Sequence, residues 1–222
     1  MSVFDGDPLV AGEAFLLGYA TAYLGLDAGC FVVTPAYALL LTLGLVVIAT
    51  TRPWSRHVTA GVPLTYGLVI AWVADFDPGW GVVAGVTVAV FAIYVAGSVV
   101  LGLSSRTDAW NHRLLRALTP LNSGFAATLL EWTAREWFPE LPVEGVAVAV
   151  IALALAGVYA GTSRQSVSRD DTAGIAAVVF LGVSVVLAAG TFAATVGLLA
   201  TTVGAVAVTW YGVGDAPRTG AH

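Results

Sequence analysis

Eight apolar runs, each close to the length of a bilayer-spanning helix, are separated by short junctions that hold most of the charge. A hydrocarbon core about 30 Å thick is crossed by about 20 helical residues at 1.5 Å each. The runs are Pro8–Leu26, Phe31–Thr50, Val58–Ala74, Trp80–Leu103, Pro120–Trp137, Val143–Thr162, Thr172–Gly190 and Phe192–Tyr211. Only 10% of residues are charged and 58% are hydrophobic, against roughly 25% charged in soluble domains. The sequence therefore predicts an all-α, polytopic transmembrane helix bundle of about eight spans, with residues 1–222 as one integral membrane domain and the lipid bilayer as its partner.

The arginines give the bundle a direction. Arg52 and Arg56, then Arg106, Arg113 and Arg116, then Arg164 and Arg169 follow spans two, four and six, and Arg218 lies in the tail. The opposite junctions hold Asp27, Asp75, Asp77, Glu136, Glu140 and Glu144, with Arg135 as the basic exception. Because basic loops are retained in the cytoplasm, a multi-pass cell-membrane protein with both termini cytoplasmic is expected. Residues 213–222 then form a cytoplasmic tail. The tryptophans agree, since Trp54, Trp110 and Trp210 fall at inner ends and Trp72, Trp80, Trp132 and Trp137 at outer ends, where an indole can bury its ring and wet its N–H. The first run lacks the basic flank of a signal peptide. The stretch from Thr172 to Tyr211 is long enough for a hairpin turning near Gly190-Thr191.

There is no lysine, the net charge is −5 and the calculated pI is about 4.9. Such a composition suits very high salt, as in a halophilic archaeon, and carries no expectation of nucleic-acid binding. Without a lysine, no retinal Schiff base can form. The single cysteine, Cys30, excludes an intrachain disulfide. His57, His112 and His222 lie in loops or the tail, so no span offers imidazoles for a haem or an intramembrane metal. With no hydrolase, metalloprotease or nucleotide-binding motif present, no cofactor, no metal and no catalytic residue are assigned.

The polar positions inside the spans are few, and buried ionisable groups in a membrane are functional candidates by default. Glu13 lies in span one. Thr119-Pro120 reads as an N-cap and first-turn proline, which starts span five there and leaves residues 104–118 as a cytoplasmic loop with a short amphipathic segment, Trp110–Leu118. Asn122 and Ser123 follow within the first turn. Glu13, Asn122 and Ser123 are thus expected to face one interior space open to the cytoplasm. Glu131 and Arg135, four apart with the acid first, form a structural helical ion pair.

Small residues recur every fourth position in Ala14-x3-Gly18-x3-Ala22, Gly81-x3-Gly85, Ala152-x3-Ala156-x3-Ala160 and Gly157-x3-Gly161, a pattern of close helix contact or of an oligomer. Arg56-His57-Val58-Thr59-Ala60-Gly61 and Arg169-Asp170-Asp171-Thr172-Ala173-Gly174 open spans three and seven, consistent with a 4+4 parallel repeat. The leading expectation is a small permease or channel-like bundle whose polar lining comes from Glu13, Asn122 and Ser123; the alternative is a non-catalytic membrane subunit or scaffold with partner proteins or copies of itself, and the third an intramembrane lipid-modifying enzyme.

Overall fold

A computed structural model of the chain describes residues 8–29, 31–52, 55–103, 109–140, 145–163 and 171–188. Among them are seven helices and no strand: α1 (Pro8–Asp27), α2 (Val33–Thr51), α3 (Ser55–Phe76), α4 (Trp80–Leu103), α5 (Ala109–Trp137), α6 (Val146–Ser163) and α7 (Asp171–Ala188). Among the described residues, three segments, Val33–Thr51, Arg56–Phe76 and Trp80–Leu101, are long and apolar enough to cross a membrane. Shorter apolar stretches lie in α1, α6 and α7. The eighth candidate span and the tail lie outside the described residues.

Leu16, Leu17, Leu24, Leu40, Leu153 and Val178 are all well exposed. Soluble monomers rarely leave contiguous apolar surface on this scale, so the outer surface is compatible with a membrane location.

Helix α3 lies at the centre of the N-terminal half, packing on α1, α2 and α5, while α4 packs on α2 and α5 and only slightly on α3. Two local features belong to that arrangement. The connection from α3 to α4 is only Asp77-Pro78-Gly79, with Asp77 at φ +45, a left-handed conformation that aspartate adopts more readily than most residues. Gly97 then lets α4 close on α2, since a Cβ there would lie 2.8 Å from Val46 Cγ1. In the C-terminal half, α6 packs chiefly on α7, and both touch α5.

The start of α5 corrects the sequence reading. The helix is unbroken from Ala109 to Trp137 with Pro120 inside it, so residues 109–118 are its first turns and not a separate surface segment. Proline lacks the N–H that would bond the carbonyl four residues back, an interior position that costs about 3 kcal/mol. Tertiary contacts oppose that cost: Pro120 is buried, Leu118 is fully buried, and α5 packs extensively on α4. Thr119 does not act as a cap; its Oγ1 donates to Ser98 Oγ on α4 over 3.4 Å.

The small-residue stripes divide. A Cβ on Gly18 would sit 2.9 Å from Leu41 Cδ2, so that stripe does bring α1 against α2. Gly81, Gly85 and Gly157 have nothing among the described residues within 4 Å of the same position. The tightest of the described glycines, Gly61, belongs to none of the stripes: a Cβ there would collide with Leu45 and lie 3.1 Å from the Tyr94 hydroxyl.

Candidate functional site

The interior of α1–α4 is built around a hydroxyl cluster. Thr42 and Thr65 lie near the middles of α2 and α3, Tyr19 reaches in from α1 and Tyr94 from α4, and all four are buried. Thr65 Oγ1 is the hub, 2.6 Å from Tyr19 Oη, 3.0 Å from Tyr94 Oη and 3.2 Å from Thr42 Oγ1. Donor counting orders the protons. Thr42 Oγ1 donates to the Ala38 carbonyl of its own helix over 2.8 Å, so its lone pair faces Thr65. One arrangement that satisfies these distances has Thr65 donating its single proton to Thr42 and accepting from both tyrosines. The Gly61 carbonyl, 3.4 Å from Tyr19 Oη, is a more distant alternative acceptor. Each of the four protons then has an acceptor inside the cluster or on the adjacent backbone.

A second junction ties α3, α4 and α5. Tyr66 Oη donates to Asn122 Oδ1 over 2.9 Å, and Asn122 Nδ2 donates to the Phe91 carbonyl over 3.1 Å. The Tyr66 ring stacks on Phe125 at 5.6 Å between centroids. Ser123, one residue further on α5, donates to the Thr119 carbonyl over 2.8 Å. Asn122 and Ser123 are both at 0% exposure, so the structure encloses both side chains within the protein. Glu13 is elsewhere. Its side chain is exposed on α1, a helix that packs on α2 and α3, and among the described residues no contact brings it together with Asn122 or Ser123.

At the end of the bundle where α5 stops and α6 starts, the Glu131–Arg135 pair forms as the spacing predicts, with Arg135 Nη2 3.2 Å from Glu131 Oε1. The same oxygen accepts the Gly145 N–H over 2.9 Å, which fixes α6 against α5 through a glycine at φ +80. Glu131 is only 7% exposed and its Oε2 has no protein partner. Near the opposite end of α3 from its arginine, Trp72 is fully buried and its indole N–H donates to the Phe31 carbonyl over 2.8 Å. The protein backbone, and not a lipid headgroup, thus satisfies that tryptophan.

Sequence reading missed the hydroxyl cluster and the partners of Asn122. Tyrosine and threonine carry no formal charge and read as ordinary span residues; only their mutual position across helices distinguishes them. Among the described residues, no group of three or more His, Cys, Asp or Glu side chains could hold a metal ion.

These features define a helical bundle with apolar helices of membrane-spanning length and an internally hydrogen-bonded polar core. Comparison with protein-family models, with curated proteins and with solved structures finds no match to this chain.

Proposed function

We propose that this chain is a multi-pass membrane protein with cytoplasmic termini that serves as a non-catalytic membrane subunit or scaffold, acting through lateral contacts within the bilayer. The closed hydroxyl cluster carries the reading. A permeation path needs polar groups that exchange partners with a solute, whereas Tyr19, Thr42, Thr65 and Tyr94 use their protons on each other and on adjacent backbone. Interhelical hydrogen bonds of this kind hold transmembrane helices together. The separation of Glu13 from Asn122 removes the main support for a permease. The apolar exterior, with Gly81 and Gly85 open on α4, leaves faces for neighbouring helices.

The arginine pattern supports the eight-span topology. Support for a 4+4 repeat comes from packing: α1, α2 and α3 touch one another, as do α5, α6 and α7. The polar core is not repeated, because the offset that aligns Arg56 with Arg169 pairs Tyr19, Thr42 and Thr65 with Trp132, Leu155 and Val178.

Two measurements test the proposal. Reporter fusions at Trp54, Asp77, Asp108, Leu141 and Val167 should alternate between inside and outside, starting inside. Two neighbouring loops on one side would defeat the topology. In native membranes solubilised gently, the protein should migrate in an assembly larger than the purified chain, and proteoliposomes should show no flux that Glu13→Gln alters. A lone chain supporting a Glu13-dependent flux at unchanged abundance would reinstate the permease.

A further inference from the structure

Helix α1 turns one side to α2 and α3 and leaves the other uncovered. Phe15, Tyr19 and Ala22 belong to the core or pack on it. On the other side Leu17 and Leu24 are 68% and 67% exposed, and Glu13 and Ala20 are exposed with them. Glu13, Leu17, Ala20 and Leu24 recur at spacings of four, three and four, the repeat of a seam between two packed helices. They therefore form one stripe along the middle of the open face.

The stripe differs from the other outer faces in its charge. Leu40 on α2, Val82 on α4, Leu153 on α6 and Val178 on α7 are exposed as well, and lipid hydrocarbon suits them. Among the described residues every other exposed charged side chain lies at or beside a helix end. Glu13 is the one charged residue in the apolar stretch Val10–Leu26, five residues into α1 and thus about 7.5 Å along its axis. A carboxylate held against hydrocarbon is costly unless it is paired, and the ion pair that the described residues form, Glu131–Arg135, is on α5.

A second copy does not supply the missing cation. Two parallel copies related by a two-fold axis and meeting on this stripe would set their Glu13 side chains together at one depth, and like charges across an interface repel. Under the proposed topology the chain's own arginines lie outside the apolar runs or, for Arg135, at the opposite end of the bundle. Resting on the scaffold reading, we infer that the Glu13-Leu17-Ala20-Leu24 stripe is the docking face for a partner protein's transmembrane helix that carries an arginine at the depth of Glu13. A guanidinium fork can meet both carboxylate oxygens at once, and Ala20 leaves room for the partner's side chains at the middle of the seam.

The full chain, with a dye at its amino terminus, is titrated in proteoliposomes with labelled single-span leucine–alanine peptides, and association is read by energy transfer. A peptide with one arginine one and a half turns inside its end should bind saturably and roughly five- to thirtyfold more tightly than the same peptide with leucine there. Glu13→Gln should reduce the arginine peptide to the level of the leucine peptide, and Glu13→Arg should transfer the preference to a glutamate peptide. Ala20→Trp should weaken binding of the arginine peptide. The comparison of peptides on the unaltered chain holds even if a variant fails to fold. Equal binding of the arginine and leucine peptides, a preference that survives in folded Glu13→Gln, or efficient cross-linking of Leu17→Cys chains to each other would overturn the inference. Equal peptide binding beside a native assembly larger than the chain would strike this face alone and leave the scaffold reading standing; absence of any such assembly would strike the scaffold reading itself.

Discussion

The Tyr66 hydroxyl donates to Asn122 Oδ1 over 2.9 Å, joining α3 to α5 across 56 residues of sequence. Both side chains are at 0% exposure, and Asn122 passes the connection on to the α4 backbone at Phe91. One amide thereby fixes the mutual position of three helices.

Tyr66→Phe should destabilise the protein by about 1–3 kcal/mol, because it leaves Asn122 Oδ1 buried without its donor. Asn122→Leu in the same background should cost less than the two single changes added together, since the apolar replacement removes the orphaned acceptor. Unfolding of the four species in one detergent, read as a double-mutant cycle, checks this. Strict additivity would mean that the two groups do not interact.

Thr65→Val should be more damaging than Thr42→Val. The hub replacement removes the acceptor of two tyrosine protons, whereas Thr42→Val removes one acceptor and leaves Thr65 free to redirect its proton. Transmembrane hydrogen bonds average about 0.6 kcal/mol, so the expected difference is on the order of 1 kcal/mol. Thermal unfolding of the two variants should rank them, and the reverse order would contradict the proton assignment.

Gly61→Ala should destabilise strongly while Gly85→Ala is tolerated. A methyl at Gly61 meets Leu45 and the Tyr94 hydroxyl, whereas no atom of the described residues lies within 4 Å at Gly85. Overpacking of a close-packed core costs about 1–3 kcal/mol. Folded yield and melting temperature should fall only in the Gly61 variant. Equal loss at Gly85 would mean that this face of α4 is covered by something other than the described residues.

Glu131→Ala should cost more than Arg135→Ala. The carboxylate holds the Gly145 N–H at the start of α6 as well as the arginine, while Arg135 is partly exposed, with its side chain at 46%, and exposed ion pairs contribute about 0–1 kcal/mol. Hydrogen exchange at the start of α6 should accelerate in the Glu131 variant and remain near wild type in the Arg135 variant.

Helix starts and stops were legible where local chemistry sets them. The fourth span, Trp80–Leu103, coincides with α4, and α1 and α7 lie within one or two residues of their predicted bounds, because charged or turn-forming residues stop each apolar run. Span five was misread at Pro120, where local rules favour a helix start and buried contacts with α4 carry the helix through instead. The Glu131–Arg135 pair was legible because both partners sit on one helix turn.

What the sequence determined by itself is everything that depends on near neighbours along the chain: apolar runs of spanning length, their punctuation, and one ion pair at helical spacing. Tertiary structure alone decided which polar residues meet. Tyr19, Thr42, Thr65 and Tyr94 converge from four helices, and Glu13 does not join Asn122, because helix rotation and neighbour choice are set by close approaches such as Gly61 and Gly97. Those approaches depend on packing between surfaces distant in sequence, a property that the periodicity of any one helix does not contain.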